Sequence, residues 1–357
     1  MKILRLCLVS FLVHTAAFGV GGQYAEKKPT KPEETALADK PHKLPPPKFS
    51  PYTDPVEKSL YFGLEYLLWQ FRLEGMSYAF NEFEQIENNP KHRRVRTVPN
   101  RWMSGVRGTL GTYLGHERWH TEATYTFYRN KEANSATNDG LYPLWAIGDE
   151  FAGPYSRGKV RSAGGKIDLM LNSVDFLLLN DYYDSYFVRM TPLLGLKGFW
   201  IKQNFTAKYA HQFATNFQEL LTMQNNQAIV GFGPEIGMKA RWSFDKMLSL
   251  VTNVTYGIFP THFDTVRKDS EQLVPLATSN PITKIYTKNA YWGDSSFLQT
   301  TLGPQFEWWF SDVHFAINGL WEMQVWYSTN RAFRIYQNGP LGGLIFTGFT
   351  MQLQCGF

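Results

Sequence analysis

The sequence predicts a transmembrane antiparallel β-barrel of about ten strands, an all-β fold of up-and-down topology, and three observations predict it. Apolar residues recur with a period of two over stretches of up to fifteen residues, longer than the five or six of an ordinary soluble strand. The gaps between those stretches alternate short and long, as turns and loops do in an outer-membrane barrel. Aromatic residues make up 16% of the chain, with 27 Phe, 19 Tyr and 11 Trp, while the mean hydropathy is only −0.32. A soluble core does not need so many rings; a wall that meets lipid and two interfaces does. Beyond the first 20 residues no apolar run approaches the ~18–20 residues of a spanning helix.

The elements follow in chain order. Lys2 and Arg5, the apolar stretch from Leu6 to Val13, and the small residues Ala16, Ala17 and Gly19 make a secretory signal peptide over 1–19, cut after Gly19. Cys7 leaves with it, so the exported chain keeps the single thiol Cys355 and has no internal disulfide. Losing Lys2 and Arg5 takes the 36 basic residues to 34 against 31 acidic ones, too weak an excess to point to nucleic acid. Residues 20–57 hold eight of the 19 prolines among Lys, Glu and Thr, which predicts an extended periplasmic linker. The barrel is expected over 58–357.

Its ten strands are expected near 59–71, 102–114, 118–129, 162–179, 185–202, 226–243, 247–260, 296–309, 313–327 and 343–357. The cleanest stretch runs from Ala228 to Trp242. One face carries Val230, Phe232, Pro234, Ile236 and Met238, and the other carries Gly231, Gly233, Glu235, Gly237, Lys239 and Arg241. Turns are expected at Gly115–Glu117, near Asn180–Asp181, at Phe244–Lys246 and at Phe310–Asp312. Long loops are expected at about 72–101, 130–161, 203–225, 261–295 and 328–342, placing both termini in the periplasm. A hairpin hidden near Met76–Phe80 would raise the count to twelve. Pro192, Pro234 and Pro304 fall inside strands, where each removes a ladder donor, and the phase slips near Asn172–Ser173, which predicts a bulge. Trp69, Trp102, Trp119, Trp242, Trp308, Trp309 and Trp326 lie near strand ends, as interfacial girdles require. Trp321, Phe232 and Phe349 are expected on the lipid face. Phe349, Met351, Leu353 and Cys355 alternate with small and polar residues up to the terminal Phe357, an ending that resembles the signal such barrels present to their assembly machinery.

Over Ser59–Phe357 the chain resembles the Legionella-type pore-forming major outer membrane protein family, whose relatives include proteins of chlamydia-like bacteria. The resemblance rests on Leu67-Leu68-Trp69, on Trp102-Met103-Ser104-Gly105-Val106-Arg107 with Leu110-Gly111, and on Tyr125-Thr126-Phe127. It continues through Thr191-Pro192-Leu193-Leu194-Gly195-Leu196-Lys197, Val230-Gly231-Phe232-Gly233-Pro234 and Gly348-Phe349-Thr350. It implies a bacterial outer-membrane protein with a porin-like role, passing ions and small hydrophilic solutes.

By parity, the charges expected to line the lumen are Glu65, Glu122, Asp168, Glu235, Glu307 and Glu322 against Arg107, Lys166, Arg189, Lys197, Lys239 and Arg241. Six face six, which fits an unselective pore and equally a lumen closed by ion pairs, since ten strands are close to the size that side chains fill. The expected function is a small diffusion pore, with a plugged structural or surface-binding barrel as the alternative. The run Lys91-His92-Arg93-Arg94-Val95-Arg96 lies in the first long loop, where Lys91, Arg93, Arg94 and Arg96 are candidates for contact with lipopolysaccharide phosphates. His116-Glu117-Arg118-Trp119-His120 matches the zinc motif H-E-x-x-H, but it sits on a turn and strand; i and i+4 are then ~13 Å apart, too far for one ion. His262 with Asp264 is the one loop pair of catalytic type. Neither cofactor nor metal is expected, and the sequence sets no oligomeric state.

Overall fold

The computed structural model describes residues 60–75, 77–83, 92–114, 118–145, 160–185, 187–214, 217–274, 282–310, 313–330 and 342–357. By its contacts the chain divides into Met1–Lys48 and Phe49–Phe357, and every described residue lies in the second unit. The expected signal peptide and linker fall outside the described residues.

Ten strands close into one antiparallel barrel. They are β1 (Leu60–Leu73), β4 (Met103–Tyr113), β5 (Trp119–Pro143), β6 (Val160–Asn180), β8 (Val188–Ala214), β9 (Phe217–Ser243), β10 (Leu248–Val274), β11 (Ile282–Phe310), β12 (Val313–Asn330) and β13 (Gly342–Gly356). Each pairs with the next in that order, and β13 returns to β1. The Phe357 amide donates to Leu60 O at 2.9 Å beside that seam. The sheet has no free edge around the barrel, which is what hydrocarbon demands of a backbone it cannot hydrogen-bond.

Three strands lie off the ring. β2 (Ser77–Phe83) and β3 (His92–Thr97) form the hairpin expected near Met76–Phe80, but it joins the far end of β5 through Ala79–Asn81 and adds nothing to the barrel count. Gly75 turns the chain from β1 toward β2 at φ 82°, a conformation that suits a residue without Cβ. The two-residue β7 (Tyr183–Asp184) pairs with β8 in the turn near Asn180–Asp181.

The expected long loops are largely strand. β8, β9 and β10 each run 27 residues and β11 runs 29, against the ~9–11 needed to cross the membrane. The surplus projects beyond the membrane at the end opposite the short turns, the outer side in bacterial barrels.

Parity sets the two faces. Along β1, Leu60, Phe62, Leu64 and Tyr66 are about half exposed toward lipid, while Tyr61, Gly63, Glu65 and Leu67 are buried inward. The expected bulge at Asn172–Ser173 is absent. β6 pairs without a break with β5 and β8 through those residues, so its odd-numbered side chains stay inward from Ala163 to Leu179. Two of the three prolines leave the mark expected of missing donors: the β9–β10 pairing is interrupted between Gly257 and Thr261, opposite Pro234, and the β11–β12 pairing between Leu302 and Gln305, around Pro304, whereas the β8–β9 register runs unbroken through Pro192.

Candidate functional site

The lumen has two chemically distinct halves. Toward the turn end it is a polar chamber of about 390 Å³, at the lower end of the size of small-molecule sites. Toward the outer side it is filled with rings.

The chamber wall is a set of ion pairs that tie strands together. Arg107 on β4 lies 2.7 Å from Glu65 on β1 and 2.8 Å from Glu322 on β12, and its Nε donates to Thr126 on β5 at 3.0 Å. Glu322 also accepts from Gln299, Gln324 and Thr350 at 2.7–2.8 Å, and Glu65 accepts from Gln352 at 3.0 Å. Lys197 on β8 bridges Asp175 at 2.5 Å and Glu235 at 3.5 Å. Lys239 holds Glu122 at 2.6 Å, a carboxylate that also accepts from Tyr61 at 2.8 Å. Arg241 forks onto Glu307 at 2.8 and 2.5 Å, and Arg189 meets Asp184 at 3.2 Å with Asp181 at 4.0 Å. Pairs this deep repay their desolvation only when the remaining lone pairs are also satisfied, and the Glu65–Arg107–Glu322 cluster meets that condition.

Ten of the twelve charges expected to line the lumen therefore face inward: Glu65, Arg107, Glu122, Arg189, Lys197, Glu235, Lys239, Arg241, Glu307 and Glu322. Asp168 does not. It points outward and pairs with exposed Arg129 at 3.2 Å, and Lys166 shares its face. The inward positions beside them are Ile167, Leu169 and Leu171, all buried. Asp175, Asp181, Asp184 and Arg118 line the chamber unexpectedly. Asp175 could have been found from exposed Phe176 and Leu178, which fix the parity of β6, and from its direct cross-strand partner Lys197. The expected balance becomes eight carboxylates against six cations.

Above the chamber sits an aromatic septum. Trp69, Tyr128, Phe199, Phe259, Phe297 and Trp326 are at most 1% exposed, as is Phe346. Trp326 lies 4.4 Å from Phe297 and 4.7 Å from Phe199; Trp69 lies 5.6 Å from Tyr128 and 5.7 Å from Phe346. Two chamber cations cap these rings from below, Arg107 at 5.4 Å from Trp69 and Lys197 at 4.6 Å from Phe297. Trp69 and Trp326 are thus plug residues and not the girdle residues expected, and Trp309 lines the chamber mouth. On the outer wall, Phe232 is 58% exposed, Trp321 54%, Phe349 42% and Trp119 37%. Trp242 and Trp308 are partly exposed. Beyond the septum the interior continues through Phe205, Phe263 and Tyr209 to Arg267, which pairs with Asp269 at 2.9 Å.

Other candidates are not brought into one site. His120 faces the chamber and packs at a tilt against Tyr113 at 5.0 Å, while His116 and Glu117 lie outside the described residues. His262 and Asp264 are on β10 and not in a loop; His262 meets Trp292 edge-on at 5.2 Å and Asp264 pairs with Lys288 at 3.8 Å. Arg94 and Arg96 stand on β3, where Arg96 donates to Asn81 at 3.2 Å. Lys91 lies outside the described residues, as does the side chain of Arg93.

A family model for the Legionella pneumophila major outer membrane protein precursor matches residues 53–353. No curated protein matches the chain. Among solved structures, the outer membrane protease OmpT from Escherichia coli aligns over 85% of this chain and 97% of its own at 8% identity and a TM-score of 0.41. A Pseudomonas aeruginosa FadL homologue aligns over 85% and 90% at 8% identity and 0.25. A major outer membrane protein from Thermus thermophilus aligns over 66% and 98% at 14% identity and 0.25. None of the three is close enough to carry a functional argument.

Proposed function

We propose, from the premise that the chain belongs to the family of the Legionella pneumophila major outer membrane protein precursor and so resides in the bacterial outer membrane, that it is a barrel closed at rest, a structural and surface-presenting protein and not a standing diffusion pore. The observation that carries this reading is the septum: seven rings from seven strands, each at most 1% exposed, crowd the lumen above the polar chamber. A lumen packed with apolar side chains offers no path for water, and ten strands enclose little more than side chains can fill. The strand extensions then do the outward business, raising the sheet well clear of the bilayer.

A small-solute pore is favoured by one observation, the polar chamber itself, whose volume of about 390 Å³ lies within the range of small-molecule sites. On that reading the septum is a gate, and the excess of carboxylates in the chamber biases an opened lumen toward cations.

Single-channel recording of the refolded mature chain in a planar bilayer separates the two. A silent bilayer, with heat-modifiable migration proving the barrel folded, supports the closed barrel. Discrete, reproducible steps from the unaltered chain overturn it in favour of the pore.

A further inference from the structure

We propose that the outward wall of β5, β6 and β8, just beyond the lipid-facing belt, is a binding site for the phosphate groups of outer-leaflet glycolipid. This stands apart from whether the lumen opens.

The level of the membrane surface is written on these strands. Tyr125 on β5 and Trp200 on β8 face outward, both exposed, with rings 6.4 Å apart. Below them on the same faces lie Phe176, Leu178, Leu194 and Leu196. Exposed Tyr and Trp above an apolar belt mark where hydrocarbon gives way to headgroups.

The next outward positions are cationic. Arg129 and Lys131 on β5, Lys166 on β6, and Lys202 and Lys208 on β8 are all exposed. Among the outward-facing described residues of this patch Asp168 alone is acidic, and Arg129 engages it at 3.2 Å. The pairing gathers them. Arg129, Met170 and Lys202 form one cross-strand row, Lys131 stands opposite Asp168, and Lys166 opposite Thr206. With strands ~4.8 Å apart, the Arg129 and Lys202 backbones are ~10 Å apart, within the span of one headgroup carrying two phosphates. Charge-assisted contacts from Lys and Arg are the strong ones for such groups.

The patch is one-sided. At the corresponding level β9 carries Asn226, and β10 carries His262 and Asp264. The basic strand β3 does not compete for the same phosphates. Arg94 pairs with Asn81, and Asn81 with Leu141 near the far end of β5, while Arg96 is engaged by the Asn81 side chain at 3.2 Å.

The test uses the full mature chain refolded into phosphatidylcholine vesicles and titrated with bis-phosphorylated lipid A, with dephosphorylated lipid A, and with inorganic phosphate alone. Retained lipid is read by native mass spectrometry after extraction. Lys166→Gln/Lys202→Gln/Lys208→Gln is expected to weaken retention of the bis-phosphorylated form at least tenfold, while Arg94→Gln/Arg96→Gln leaves it unchanged. Heat-modifiable migration checks that each variant has folded, and the single variant Lys202→Glu, expected to weaken retention several-fold, serves if the triple does not. The proposal fails if folded variants of the patch retain lipid as the parent does, if the dephosphorylated form binds equally well, or if inorganic phosphate binds the site as well as the lipid does.

Discussion

Trp326 on β12 and Phe297 on β11 are direct cross-strand partners with ring centroids 4.4 Å apart, and they close the lumen from one wall. Phe199 reaches Trp326 from the opposite wall at 4.7 Å. Truncating this contact is therefore the most direct way to test the seal. Phe199→Ala/Trp326→Ala removes two rings without touching the ion pairs below, and each buried aromatic removed costs about 3–5 kcal/mol if the space does not collapse. The expected outcome is a barrel less resistant to heat, with conductance steps absent from the parent. A folded double variant that stays silent would place the seal elsewhere.

If the septum variant conducts, its selectivity should follow the chamber wall. Eight carboxylates against six cations predict a preference for cations, measured as the reversal potential across a salt gradient. Lys239→Glu or Arg241→Glu in that background should strengthen the preference, since each adds negative charge and releases a paired carboxylate. Unchanged reversal potentials in folded variants would mean that ions do not pass this wall.

Arg107→Met should damage the barrel more than loss of a surface charge does. It leaves Glu65 and Glu322, 6% and 1% exposed, facing each other without the cation between them. Breaking a buried pair in this way costs about 3–5 kcal/mol. The temperature at which migration shifts from folded to unfolded should fall, and Arg107→Met/Glu322→Gln should recover part of the loss.

On the lipid face, Phe232→Asp exchanges a 58% exposed ring in the belt for a carboxylate. Lost apolar transfer and a charge in hydrocarbon together cost about 2–4 kcal/mol, so the yield of folded barrel should drop sharply. A Phe232→Asp chain that inserts as well as the parent would mean that the two faces have been assigned the wrong way round.

Gly231 lies directly across the ladder from Phe199, whose ring occupies the space a Cβ would take. Gly231→Ala should push that ring out of the septum while leaving the strands paired. The expected sign is altered near-ultraviolet circular dichroism with unchanged far-ultraviolet signal, and conductance if the displaced ring opens a gap.

How much of this was legible depends on what surrounds each stretch of strand. Within the membrane the rule is fixed: Leu194, Leu196 and Trp200 face lipid while Lys197 faces in, and the ten strands could be found from that alternation. Above the membrane the contrast reverses. On β8 the outward residues become Lys202, Asn204 and Thr206 while Phe199, Ile201 and Phe205 turn inward. A polar-inside rule carried past that level assigns Lys166 and Asp168 to the lumen and reads the reversal as a bulge. The same rule reads the strand extensions as loops. The septum was hidden differently: Trp69 and Trp326 stand near the strand positions that a girdle occupies, and only cross-barrel packing distinguishes the two roles.

The seam between β1 and β13 joins residues nearly three hundred positions apart, with the Phe357 amide on Leu60 beside it. However completely β1 through β12 zip together, they remain an open ribbon with two sticky margins until β13 docks. The seam carries the largest loop-closure cost of any pairing in the sheet, and until it forms both margins are open to aggregation and to stray strand partners. A catalyst that shields those margins and presents β13 to β1 would accelerate that closure without contributing to the stability of the finished barrel.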